Sequence, residues 1–307
     1  MLNSDLQIRY PLLIDGGLSN VLEEQGCDLN HPLWSARILE SEPESIIQAH
    51  YAYLKAGAQC IITSSYQASI RGFTDGGLDL ASAEALILKS TILAKTAIER
   101  YKASEDSDSK PLIAASIGPY GAYLGDGSEY HGNYGVSDEV LRTYHVDRIS
   151  LLANSNIDFF ACETIPSFQE AKVIAKIISQ FNKSAWISFA CKDEEHLNDG
   201  TAIAKCAAFF ADQPKFFAIG VNCTAPKHIS GLIKLIKQYS GIKRIVVYPN
   251  SGEAFNANSK TWLGIVDPKQ FISMAKEWIT LGADIIGGCC RIGPDHIRSL
   301  GNILEKN

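Results

Sequence analysis

Residues 158–191 read DFFACETIPSFQEAKVIAKIISQFNKSAWISFAC. DFFACET (158–164) and SAWISFAC (184–191) are short runs, apolar nearly throughout, of the kind that form buried strands. Between them SFQEAKVIAKIISQF (167–181) sets apolar residues at three- and four-residue spacing, the period of an amphipathic helix. Two such strands joined by a helix form a parallel pair with the helix packed on its face. The same rhythm continues outward in both directions. LLIDGG (12–17), CIITSSY (60–66) and PLIAASIG (111–118) precede the unit, with the helical stretch ASAEALILKSTILAKTAIERY (81–101) among them. FFAIGVNC (216–223), RIVVYPNS (244–251) and DIIGGCC (284–290) follow it. Eight repeats predict an α/β protein built as a single (β/α)8 TIM barrel, one domain over residues 1–307, ahead of an open doubly wound sheet.

The segments between the strands support that count. Ser137 followed by Glu139, and Pro268 and Pro294, are helix-start signals. ASEDSDSK (103–110) reads as a solvated loop, and no stretch resembles an interdomain linker. GAYLGDGSEYHGNYG (121–135) is long for a strand-to-helix connection and rich in Gly and Tyr, so it is a candidate lid. Composition narrows the function. Hydrophobic residues at 46% and charged residues at 20% suit a globular protein with a large core, and a net charge of -6 disfavours nucleic acid and anionic membranes as partners. No apolar run reaches the roughly 20 residues of a membrane span, and the N-terminus lacks a secretory pattern, so a cytoplasmic location is expected.

In a barrel of this kind the chemistry gathers at the C-terminal ends of the strands. Those ends carry Asp15-Gly16-Gly17, Ser64-Ser65-Tyr66, Cys162-Glu163-Thr164, Asn222-Cys223-Thr224, Asn250-Ser251-Gly252-Glu253 and Gly287-Gly288-Cys289-Cys290-Arg291. Three of the eight cysteines thus fall at the ends of strands 6 and 8, close enough around a ring to share one ion. Thiolates are the soft ligands zinc takes, and a catalytic zinc keeps a fourth position open. Spacing alone also admits three buried thiols, or a redox pair of Cys289 and Cys290. Adjacent cysteines on a regular strand point to opposite faces, so the preceding glycines are expected to turn the strand end through backbone angles closed to other residues. Asp15 and Glu163 could bind an amino group. Trp34, Tyr66, Tyr120, Tyr123 and Tyr130 could offer ring faces to a cation. HExxH, a Walker loop and GxGxxG are absent, and no predicted strand ends in a Schiff-base lysine.

These residues resemble the homocysteine S-methyltransferases, the zinc barrels that include the betaine-dependent enzyme. The likeness runs along essentially the whole chain: the DGG turn, LWSAR, ITSSYQAS, FACETIP, GVNC and IGGCCR occur in the family order. GPYGAYLGDGSEYHG and VVYPNSGE resemble the short enzymes that use S-methylmethionine. The resemblance implies that Cys223, Cys289 and Cys290 hold zinc, that Asp15 and Glu163 hold the homocysteine amino group, that Ser65 lies near the amino acid, and that Trp34 belongs to the donor site. It implies small-molecule substrates, homocysteine and a sulfonium donor: S-methylmethionine, with S-adenosylmethionine slower and betaine the alternative. A zinc-binding protein without catalysis is the reading from another class. Thr164 and His131 depart from the family pattern, where Tyr and Arg are expected. Among groups able to contact the donor's amino-acid head, Asp126, Glu129, Asn250 and Glu253 are candidates.

Overall fold

The computed structural model describes residues 8–29, 35–105, 109–252, 254–256, 261–263 and 268–305. Eight parallel strands form its frame: β1 (Leu12–Leu13), β2 (Cys60–Ile62), β3 (Leu112–Ile117), β4 (Phe159–Ile165), β5 (Ser184–Phe189), β6 (Phe216–Asn222), β7 (Arg244–Tyr248) and β8 (Ile285–Ile286). They are hydrogen-bonded in the order β1-β8-β7-β6-β5-β4-β3-β2. A parallel bridge between Ile14 and Cys60, with the Asp15 N–H on the Cys60 carbonyl at 3.1 Å, joins β1 back to β2. The sheet therefore closes into the (β/α)8 barrel that the repeat predicts. Two further short strands, Ala254–Asn256 and Thr261–Leu263, pair as an antiparallel hairpin after β7.

The helices start where the sequence signals place them. Ser137 caps Asp138–Ala153 by accepting from the Val140 N–H at 3.4 Å, and Pro294 begins Pro294–Leu304. Proline suits that position because its missing N–H would have no partner inside the helix. Phe168–Ile178 turns Ala171, Ile174, Ala175 and Ile178 onto the sheet, the stripe its periodicity requires. Among the described residues, no helix is long and apolar enough to cross a membrane.

Side-chain parity divides the core in two. Residues such as Ile61, Ala115, Phe160, Ile187, Ile219 and Val247 face outward to the helices. Their neighbours Cys60, Ala114, Phe159, Ala161, Trp186, Ala218 and Val246 fill the interior. Alanines on β3, β4 and β6 make room for Trp186 and Phe159, whose rings lie 5.2 Å apart. Further along these strands, two residues toward the mouth on β3, β4 and β5 and four on β6, the inward positions become polar: Ser116, Glu163, Ser188 and Asn222. The apolar plug thus supports a layer of hydrogen-bonding groups directly beneath the candidate site.

Two histidines are fully buried outside that layer. Burial alone holds His50, whose nitrogens have no partner among the described residues, down at about 4. Burial and the neighbouring Arg148 hold His145 at about 4, against the opposing pull of Glu170. Both lie below the usual value near ~6.5, so between about pH 6.5 and 4 the unfolded chain binds the additional protons. The stabilisation from keeping them neutral is complete above about pH 6.5 and is lost as pH falls through about 4, on the order of 3 kcal/mol for each. The urea midpoint should fall across that window, and His50→Leu should make the fall shallower. Equal slopes for the two proteins would show that His50 does not contribute.

Candidate metal centre

At the mouth, the ends of β6 and β8 bring three sulfurs together. Cys223 and Cys290 have their Sγ atoms 3.7 Å apart, and all three, with Cys289, lie within 4.8 Å of one another. An ion bound tetrahedrally by sulfurs at about 2.3 Å separates them by about 3.8 Å, so the trio has the spacing of a metal site. The other five cysteines are buried apart from it. Without a cation the sulfurs compete for protons. Hydrogen bonds from Cys223 and Cys289 hold the Cys290 thiol well below the usual range, while those same contacts and burial push Cys223 well above it.

The adjacent cysteines reach one site because they are not on a strand. β8 ends at Ile286, and Cys289–Ile292 forms a tight turn in which the Ile292 N–H meets the Cys289 carbonyl at 3.1 Å. Arg291, third in that turn, is left-handed at φ 67°, the position where type II turns need it. The Asn20 side chain supports it by accepting from the Arg291 N–H at 3.1 Å. Gly287 and Gly288 therefore act differently from expectation. Neither has a positive φ; they permit close packing instead. A Cβ on Gly287 would stand 2.6 Å from the Asp15 carbonyl, and one on Gly17 would stand 2.7 Å from that of Cys289.

Two buried carboxyl groups share the cavity with the thiols. Asp15 accepts from the Ile62 N–H at 2.8 Å, and burial, opposed by that bond, pushes its carboxyl well above the usual range with Glu163 adding to the rise. Burial likewise pushes Glu163 up to about 7, opposed by the Ser116 hydroxyl, which donates to it, and by the neighbouring Tyr248. Among the described residues neither carboxyl is in an ion pair, an arrangement that favours a cationic ligand. The cavity, about 140 Å³, is also walled by Thr63, Ser64, Tyr66, Gln67, Glu129 and Tyr130.

The remaining sequence candidates divide. Ser65 lies behind the wall: its hydroxyl donates to the Ser116 carbonyl at 2.8 Å and pairs with Thr63 at 2.7 Å, so Thr63 and Ser64 present that strand end to the cavity. Tyr66 and Tyr130 line the cavity, whereas Tyr123 donates to Asp75 at 2.6 Å and Tyr120 packs among Tyr123, Tyr134 and Tyr144. Asp126 accepts from the Ser128 N–H in an exposed turn, and His131 is exposed too. Trp34 and Glu253 lie outside the described residues.

Asn222 is a site residue that motif reading passed over. Its Oδ1 accepts from the Thr164 N–H at 2.7 Å and from Ser188 at 2.8 Å. Its Nδ2 donates to Thr164 Oγ1 at 2.7 Å and approaches Cys289 Sγ at 4.0 Å. It thereby clamps Thr164 and sits against the sulfurs. Thr164 and Cys223, flanking it in space and in sequence, are both left-handed, at φ 58° and 49°. Its inward parity with Ala218 and Gly220 was the available signal. Beneath the 121–135 loop lies a second network: Glu170 accepts from the Tyr120 N–H at 2.6 Å, from Tyr134 at 3.0 Å and pairs with His145 at 2.8 Å. Arg148 stacks on Tyr144 and donates to the Gly118 carbonyl.

Comparison with known proteins agrees with this geometry. The profile of a family described as homocysteine S-methyltransferase matches residues 12–304. A homocysteine S-methyltransferase of Bacillus subtilis (strain 168) is 45% identical over 95% of this chain and 94% of its own length. That of Escherichia coli (strain K12) is 42% identical over 94% of each. The crystal structure of the homocysteine methyltransferase MmuM from Escherichia coli in its metallated form superposes with a TM-score of 0.86 at 40% identity, covering 95% of this chain and 96% of that one.

If the three sulfurs share one ion, Cys223→Ser, Cys289→Ser and Cys290→Ser should each abolish stoichiometric metal binding while far-ultraviolet circular dichroism stays native. Asn222→Ala should weaken metal affinity by about 10- to 100-fold, the range for groups that support ligands. A variant that keeps full metal content by elemental analysis would remove its residue from the assigned role.

Proposed function

Since the chain belongs to the homocysteine S-methyltransferase family and is a methyltransferase that acts on homocysteine, we propose that its metal is zinc, held by Cys223, Cys289 and Cys290, and its donor S-methylmethionine. The observation that supports this reading is the pairing, on one cavity wall, of three clustered thiols with two buried carboxyls. Homocysteine presents the matching groups, a thiol and an ammonium. Cys223, Cys289 and Cys290 would hold the zinc, which would supply a Lewis acid able to lower the pKa of a substrate thiol.

The chain's own residues then position and shield. Asp15 and Glu163 hold the homocysteine ammonium, which returns both to the charged state they resist when alone. Asn222 keeps Thr164 in its left-handed conformation and steadies the sulfur cluster through Cys289. Tyr66 and Tyr130 turn aromatic surface toward a cationic donor. Attack of a thiolate on a sulfonium methyl transfers CH₃ and releases a neutral thioether, so two opposite charges disappear together. A cavity screened from water favours that change, and no general acid is needed. Positioning of the two reactants supplies much of the acceleration.

One barrel domain suffices for such chemistry, and we assign residues 1–307 to it. A donor panel tests the reading. With homocysteine and the zinc-loaded protein, S-methylmethionine should give the highest kcat/KM, followed by S-adenosylmethionine, whose adenosyl group needs more room. A preference for betaine would overturn the donor assignment. Glu163→Gln should lower kcat/KM for homocysteine at least tenfold with zinc content unchanged, since a hydrogen bond to a charged group contributes about 1.5–3 kcal/mol. Unchanged efficiency would make Glu163 structural.

A further inference from the structure

Three polar atoms on the cavity wall have no partner among the described residues, and the reading above leaves them unused. Gln67 is 7% exposed, and its Nε2 donates to the Ala122 carbonyl at 2.9 Å. That bond fixes the amide's orientation, because the reverse would oppose two oxygens, and it leaves Oε1 as a buried acceptor with nothing to accept. Glu129 Oε2 is buried and unpartnered in the same way, as is Ser64 Oγ. All three residues line the cavity that holds the thiols. Gln67 and Glu129 are also tied to one element, the short helix Tyr120–Leu124: Gln67 through Ala122, and Glu129 through its backbone, which packs so tightly on Gly121 that a Cβ there would lie 2.5 Å from the Glu129 nitrogen.

Buried polar atoms ordinarily find partners, and those that do not mark a place for a ligand or an ordered water. Two of these three can only accept, so the ligand must donate. Asp15 and Glu163 are already committed to the homocysteine ammonium beside the sulfurs. Tyr66 lines the same cavity, and Gln67 and Glu129 are held on its loop side by their ties to the Tyr120–Leu124 helix. The acceptors on the loop side therefore face the second substrate.

Resting on the donor reading above, we infer that Gln67 and Glu129, with Ser64, form the subsite for the α-ammonium group of the methyl donor. The pair makes an amino-acid sulfonium preferred over onium donors without N–H. A primary ammonium gives three N–H donors, enough for Gln67 Oε1, Glu129 Oε2 and the Ser64 hydroxyl together. The Glu129 carboxylate also offsets the positive charge that the ammonium adds to the sulfonium. A quaternary ammonium carries no N–H, so it would bury all three groups unpaired, and the protein would discriminate against it.

The test compares S-methylmethionine with its deaminated analogue, 4-(dimethylsulfonio)butanoate, in which the reacting sulfonium is the same. Initial rates are measured with the zinc-loaded full chain and saturating homocysteine for wild type, Gln67→Met and Glu129→Gln, with zinc content read on each sample. Wild type should favour the amino donor at least tenfold in kcat/KM, and each variant should reduce that ratio at least tenfold, chiefly through KM. Glu129→Gln lies on a partly exposed loop and keeps the inference testable if Gln67→Met fails to fold. A ratio that stays unchanged in the folded variants, or no preference in wild type, overturns the inference and leaves the donor reading intact. Wild type that uses neither sulfonium overturns the donor reading, and this inference with it.

Discussion

The site depends on how closely the backbone ends of β1 and β8 approach each other. Asp15 and Gly288 are linked by an N–H···O=C bond of 3.1 Å, and Gly17 donates to the Ile292 carbonyl at 3.0 Å. Tyr53 ties the two segments together from below, its hydroxyl 2.8 Å from the Gly17 carbonyl and 3.1 Å from that of Ile292. Side chains on Gly16, Gly17 or Gly287 would separate the segments. Further bonds join Cys289 to the Pro249 carbonyl, Ser251 to that of Cys290, and Cys223 to that of Tyr248. Each cysteine is thereby held by backbone from a neighbouring strand end. The carboxyl of Asp15 is set beside the sulfurs by the same contacts.

Above that framework the chemistry follows from burial. Three thiols and the carboxyls of Asp15, Glu163 and Glu129 in one sheltered cavity would be costly if all were ionised without positive charge nearby. The protein supplies a hydroxyl donor from Ser116 and an amide donor from Asn222, but no ion pair to Asp15 or Glu163 among the described residues. In the function proposed above, the missing positive charge would come from ligands: a metal ion, the ammonium of the acceptor and the onium of the donor. Such a cavity favours ligands that bring positively charged groups to the carboxyls and thiols. The apolar plug of Trp186, Phe159 and surrounding alanines keeps water out from below.

Much of this was legible in the sequence. The alternating strands and helices predicted the barrel and its strand order, and the placement of three cysteines at two strand ends predicted their convergence. What escaped was set by contacts between distant segments. The glycine pair before Cys289 looked like a source of left-handed backbone, yet it serves close approach, and the left-handed residues are Thr164, Cys223 and Arg291. Nothing local marks those three, because Asn222 and Asn20 hold two of the segments from elsewhere in the chain. Ser65 and Ser64 are adjacent, and only the local turn decides which faces the cavity. The buried cluster of His145, Arg148 and Glu170 joins two helices and a loop, so no motif could display it.

The most direct test of the shared metal centre is a native-state thiol titration. Of the eight cysteines, Cys223, Cys289 and Cys290 are partly exposed and the other five are buried. With metal removed and thiols reduced, the folded protein should show three reactive thiols, and the other five should react only on unfolding. One equivalent of zinc should protect all three together, with no stage at which only one or two are shielded. Protection of fewer than three by one equivalent, or protection of the three thiols at different zinc ratios, would contradict a single centre built from the ends of β6 and β8.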